Sequence, residues 1–95
     1  MSSYKMQGQE LQNSNNQKIG EVRGNEILDF NYRKVGEVRG DDILDFNNRK
    51  VAELKGDDIV DTNYQRIGGL SDARNSIENA AGGVTVAALW YFFVR

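Results

Sequence analysis

A mainly β fold, a radial array of four β-hairpin repeats of 16 residues followed by a short helix and an apolar C-terminal segment, is predicted by three features of this 95-residue chain. Residues 19–34, 35–50 and 51–66 repeat one pattern, IGEVRGNEILDFNYRK, VGEVRGDDILDFNNRK and VAELKGDDIVDTNYQR, and the first two copies agree at twelve of sixteen positions. Residues 3–18 are a decayed fourth copy, with Met6, Gly8 and Leu11 in line with Val22, Gly24 and Ile27. The run before the C-terminus is the most apolar of the chain. Units this short cannot bury an apolar face alone, so the copies must pack together. Residues 1–95 read as one domain, with 67–95 forming the helix and tail.

Each repeat reads as strand, turn, strand, turn. Lys34 to Arg39 (KVGEVR) and Ile43 to Phe46 (ILDF) carry the β-branched and alternating residues of short pleated strands. Gly40-Asp41-Asp42 between them tolerates positive φ and Asx-type turns, so the pair is a hairpin. The second reversal, Asp45 to Lys50, is rich in Asn, which is also at ease in the left-handed region. Val22, Val38 and Leu54 precede the turn glycine by two residues, and Ile27, Ile43 and Ile59 follow it by three. These six are expected to pair across the hairpins and form the core. Strict alternation places Gly20, Gly36 and Ala52 on the same face, where the missing bulk permits close approach. Glu21, Arg23, Glu37, Arg39, Glu53 and Lys55 then point to solvent. Phe30 and Phe46, replaced by Thr62 in the next copy, belong to a partly exposed flank.

Ile67, Gly68 and Leu70 begin a fifth copy that dissolves at Ser71. A helix is expected over residues 71–81, opened by Ser71 as N-cap with Asp72 in its first turn and ended by Gly82-Gly83. The run Val84 to Val94 (VTVAALWYFFV) then collects Leu89, Trp90, Tyr91, Phe92 and Phe93. Hairpins offering about four apolar residues each need such a filler, so the run is expected to be buried. Its pattern fits helix or strand. If extended, it would send Leu89, Tyr91 and Phe93 one way and Trp90, Phe92 and Val94 the other, and one face would want an identical copy. Leu89 to Phe93 are therefore the candidate interaction residues, and the chain is expected to be a soluble homo-oligomer.

The repeat resembles the bacterial beta-flower proteins, small chains of four or five hairpin repeats with an aromatic-rich C-terminal segment. The resemblance is carried by Gly24, Gly40 and Gly56, by Ile27-Leu28-Asp29, Ile43-Leu44-Asp45 and Ile59-Val60-Asp61, by Ile19-Gly20 and Val35-Gly36, and by Ala87 to Trp90. Asn15, Asn31, Asn47 and Asn63 stand where such turns would carry glycine. The resemblance implies a radial β-hairpin fold, and it implies no catalytic residues.

Composition narrows the function. Without cysteine or histidine the chain has no thiolate ligand, no disulfide and no imidazole base. The net charge of −2 mixes both signs along every repeat, which gives no basic stripe for nucleic acid. Residues 1–12 (MSSYKMQGQELQ) lack the apolar run of a secretory signal, so a cytoplasmic location is expected. No cofactor or metal is expected. Asp29, Asp45 and Asp61 recur in one register, as structural turn residues do, whereas a catalytic site needs one asymmetric constellation. The chain therefore reads as a non-enzymatic structural or interaction module that self-assembles through its tail. The alternative is a membrane-docking or pore-forming oligomer using residues 84–94, although about a dozen residues make a helix too short to span a bilayer.

The acidic turns Asp41-Asp42 and Asp57-Asp58 resemble half of a calcium-binding nonapeptide, but their period of sixteen and the preceding Arg39 or Lys55 do not suit that motif. Melting temperatures measured with millimolar calcium and with chelator should therefore coincide. A rise of many degrees with calcium would show that the turns coordinate it.

Overall fold

The computed structural model describes residues 3–80 and 83–95. A meander of nine antiparallel strands occupies most of the chain: β1 (Tyr4–Gln7), β2 (Glu10–Asn13), β3 (Lys18–Arg23), β4 (Glu26–Asp29), β5 (Lys34–Arg39), β6 (Asp42–Asp45), β7 (Lys50–Lys55), β8 (Asp58–Asp61) and β9 (Arg66–Gly69). Helix α1 (Leu70–Ser76) leads to the two-residue strand β10 (Ile77–Glu78), which pairs in parallel with β1. The sheet is thus ten-stranded, in the order β10-β1-β2-β3-β4-β5-β6-β7-β8-β9. The tail is helix α2 (Val84–Leu89), continued by a π-helical turn over Trp90–Val94 that closes with the Arg95 N–H donating to the Trp90 carbonyl at 3.0 Å.

Hairpin geometry follows the repeat. The cross-strand pairs are Val22 with Ile27, Val38 with Ile43 and Leu54 with Ile59. All three isoleucines are fully buried. The decayed first copy forms β1 and β2, and the fragment of a fifth copy forms β9. Leu70 N–H donates to the Asp57 carbonyl at 2.8 Å, as Leu54 N–H does to that of Asp41.

A β-bulge recurs once per repeat, between β2 and β3, β4 and β5, β6 and β7, and β8 and β9. The extra residues are Ile19, Val35, Val51 and Ile67, each half-buried against the core. Bulges bend a strand and increase its twist, so repetition at a fixed period curls the sheet. The curvature is large. Flat, β9 and β10 would lie about 43 Å apart across nine strand spacings, yet a seven-residue helix of about 10 Å connects them. Helix α1 packs against both β9 and β10 in the seam of this open sheet.

The tail fills the concave side. Val86, Ala87 and Ala88 are fully buried, and Leu89 and Trp90 nearly so. Three rings press on positions that lack side chains. A Cβ on Gly20 would sit 2.7 Å from the Phe93 ring, one on Gly36 would sit 2.3 Å from Phe92, and one on Gly68 would sit 2.4 Å from Trp90. The fourth equivalent, Ala52, keeps its methyl group and is fully buried. The close approach predicted for these positions is therefore an approach of the tail's rings.

Three expectations need correction, and the open choice between a helical and an extended tail is decided. Helix α1 starts at Leu70 and stops at Ser76, because β9 runs up to Gly69 and Ile77 turns back to pair with Tyr4. The Asp72 carboxylate, and not Ser71, caps its start by accepting the Gly69 N–H at 2.9 Å. Ala81, the expected end, and Gly82 lie outside the described residues. The tail is helical, so the two-faced extended strand does not form, and the argument for an uncovered face falls with it. Glu21 is buried and Glu37 and Glu53 are half-buried, whereas all three were expected in solvent. Leu28, Leu44 and Val60, unassigned by the pattern, are buried on the opposite face from Ile27, Ile43 and Ile59.

Gly68→Ala should lower stability by about 1–3 kcal/mol, the usual cost of overpacking. Because the atoms within 3.0 Å of the added Cβ all belong to Trp90, the loss should shrink in a Trp90→Leu background, as a double-mutant cycle by denaturant unfolding would reveal. Equal losses in both backgrounds would disprove the ring-on-glycine contact.

Candidate functional site

The meander places its reversals at two ends. Turns at Gly8, Gly24, Gly40 and Gly56 share one end. The four-residue turns 14–17, 30–33, 46–49 and 62–65 share the other. The tail reaches toward the second end, because Phe93 and Phe92 lie on Gly20 and Gly36, which pair with Asp29 and Asp45, the last residues of β4 and β6 before those turns.

The second set of turns is held from within by one residue each. Asp29 Oδ1 accepts the N–H groups of Asn31 at 2.8 Å and Arg33 at 3.0 Å. Asp45 does the same for Asn47 and Arg49, and Asp61 for Asn63 and Gln65. Asn13 fills this role in the first copy. The recurring aspartates are therefore Asx-turn residues.

With the backbone fixed, the turn side chains face outward. Their sequences are Ser-Asn-Asn-Gln, Phe-Asn-Tyr-Arg, Phe-Asn-Asn-Arg and Thr-Asn-Tyr-Gln, and none contains an acid. Phe30 is 62% exposed, Tyr32 59%, Phe46 64% and Tyr64 63%. Tyr32 and Tyr64 also have φ values of 64° and 62°, in the left-handed region that the sequence had assigned one residue earlier, to the asparagines. Equivalent positions carry Asn16 and Asn48, a residue type that accepts this conformation with less cost. A tyrosine there is a local cost of about 1–2 kcal/mol, and such costs cluster at functional positions.

Cations frame the tyrosines. Lys18 Nζ lies 4.0 Å from the Tyr32 ring centre, and Lys55 Nζ 5.1 Å from that of Tyr64. Lys18 also pairs with Glu21 at 2.7 Å, and Arg23 closes on the same carboxylate at 3.0 Å. The motif repeats with Lys34, Glu37 and Arg39, while Lys50 bridges Glu53 and Asp42. Pairing with two cations for Glu21 and Glu37, and with Lys50 for Glu53, explains why these glutamates leave solvent. The hydrogen bond from Lys18 holds the Glu21 carboxyl below its ordinary value, and that from Lys34 does so for Glu37. Lys18 and Lys50 are raised by their bonds to Glu21 and Glu53.

The tail residues divide. Leu89 and Trp90 are buried in the chain's own core. Tyr91, Phe92 and Phe93 are half-buried, and Phe92 and Phe93 lie over Gly36 and Gly20 toward the end bearing the aromatic turns. Tyr91 stacks edge-on with Phe92 at 5.1 Å, and the Arg95 guanidinium lies 4.1 Å from the Tyr91 ring centre. The sequence placed Phe30 and Phe46 on a partly exposed flank but gave no role to Tyr32 and Tyr64. The available signal was a tyrosine alternating with asparagine at a turn position that needs no ring. Among the described residues, no helix is long and apolar enough to cross a membrane.

A depressed carboxyl stabilises the fold above its unfolded value and loses that contribution as pH falls through the folded value. Stability should therefore decline as pH drops below about 4.5, the ordinary carboxyl value. Thermal melts of Glu21→Gln/Glu37→Gln should show a flatter decline in that window. An unchanged profile would show that the clamps do not couple to folding.

Comparison with models of known families, with characterised proteins and with solved structures gives no match for this chain, so the surface must be interpreted from its own chemistry.

Proposed function

We propose that this chain is a non-enzymatic interaction module whose contact surface is the aromatic end. Its hairpins are arranged radially about the tail helix, in the manner of a beta-flower. The observation that carries the reading is the set of four large aromatic side chains, each about 60% exposed, on three successive turns of one end. Single exposed aromatics are ordinary, but a periodic row on rigid turns is a surface built for contact. The recurring aspartates are engaged in holding the turns that display this row.

A second reading, self-association through the same end, is favoured by the half-buried edge of Tyr91, Phe92, Phe93 and Val94. Molar mass in detergent-free buffer tests it, with a monomer's mass at micromolar concentration counting against it.

If the row serves contact and not folding, exchanging each aromatic for the residue of an equivalent repeat should be tolerated. The variant Phe30→Thr/Tyr32→Asn/Phe46→Thr/Tyr64→Asn should melt within about 4 °C of the parent, because relief of left-handed strain offsets the lost cation–π contacts. A drop of more than about 10 °C would make the row structural and overturn the proposal.

A further inference from the structure

We infer that the first hairpin, β1 and β2, is a gate: it detaches as a unit while β3 to β9 and the tail stay folded. Its outer neighbour is β10, which β1 joins in parallel through two residues, Tyr4 with Ile77 and Lys5 with Glu78. Each later hairpin is flanked on both sides by antiparallel strands. The first copy has also lost what fastens the others. Strand β1 has four residues where β3, β5 and β7 have six. Lys5 stands at the register position of Glu21, Glu37 and Glu53, so the acid that receives a lysine in those copies is replaced. Gln12 stands where Leu28, Leu44 and Val60 are buried. Tyr4 occupies the position of Gly20, Gly36 and Gly68, so β1 offers no bare backbone to a ring of the tail.

Packing is looser at the same place. Met6 and Val22 are half-buried, whereas Val38 and Leu54, in the same register, are buried. A cavity of about 200 Å³ lies against Met6, Gly8, Val22 and Leu89, and atoms that line a void forgo dispersion contacts. The other side of the seam is pinned, because the Trp90 ring lies on Gly68 and the Leu70 N–H donates to the Asp57 carbonyl. Regions with fewer apolar contacts open at lower free energy than the whole fold, and they open as contiguous units such as a hairpin. Opening bares Leu11, which is fully buried when the gate is shut, together with the edge of β3. The aromatic turns lie between β4 and β9 and stay in place, so the gate is independent of the contact row.

The test is native-state hydrogen exchange of the full chain, followed residue by residue at rising, sub-denaturing urea. After correction for intrinsic rates, the amides of β1, β2 and β10 should share one opening free energy and exchange about tenfold or more faster than those of β5 to β8. Fraying from the N-terminus gives a different pattern, in which β1 exchanges while β2 keeps the protection of β5 to β8, and that result would overturn the inference. A single opening free energy shared by all ten strands would overturn it as well. A cross-link supplies a second readout, because the chain contains no cysteine. In Lys5→Cys/Glu78→Cys the oxidised protein should bring β1 and β2 to the protection of β5 to β8, and reduction should restore the gap. Unchanged exchange of β2 in the cross-linked protein would place the opening elsewhere and sink the gate.

Discussion

The contact between the tail's rings and the bare backbone of alternate strands governs this structure. Gly20, Gly36 and Gly68 occupy one register position in three different strands, and each receives a ring from the C-terminal turn: Phe93, Phe92 and Trp90. Hairpins with so few apolar side chains could not close on one another without leaving a void, and voids lose both dispersion and transfer free energy. Bulky tail residues fill that space only because the repeats withhold theirs. The repeat and the tail are two halves of one packing solution, although β9, the last strand of the meander, and the first ring of the tail are separated by twenty residues of chain.

Curvature and filling depend on each other. The bulge that bends the sheet places a β-branched residue, Ile19, Val35, Val51 or Ile67, immediately before the small residue that accommodates the tail. Bending turns the small residues toward a shared interior, and the bulge residue flanks each gap with apolar surface. Four bends of the same sense roll the meander until a short helix can cover its seam. An isolated hairpin of this kind would be marginal, since stability arises only when several strands share an apolar face.

Local patterning made much of this legible. The period of sixteen located every hairpin, and the positions of Val38 and Ile43 relative to Gly40 gave the inner face, because a two-residue turn fixes register. Bulges escaped notice, since an extra residue leaves strand composition unchanged. Glu21 was misplaced because alternation assigns a side to a residue but cannot foresee that Lys18 and Arg23 will cover it. The tail's helicity was undecided because a continuous apolar run has no period of its own. Tyr32 and Tyr64 were hidden for a different reason. Their importance lies in a backbone angle that disfavours them, and that angle becomes visible only in three dimensions.

The turns show how a repeat separates holding from display. Each Asx turn satisfies its backbone through one carboxylate or amide and its own main chain, and Asn13 substitutes for the aspartates without altering the geometry. The residues one and three places after that anchor are thereby released from any structural duty, which is why phenylalanine, threonine and serine interchange at the first and tyrosine and asparagine at the second. Relaxed constraint alone would let these positions drift toward polar residues compatible with solvent and with positive φ. They carry aromatics in three of the four turns instead, twice in a conformation that costs a tyrosine more than an asparagine. Exposure costs water contact with an apolar ring and strain costs backbone energy, and among the described residues a cation–π contact of about 0.5–1 kcal/mol offsets part of this for the two tyrosines. On the proposal made above, the compensating interaction is made with the partner that covers that end of the molecule.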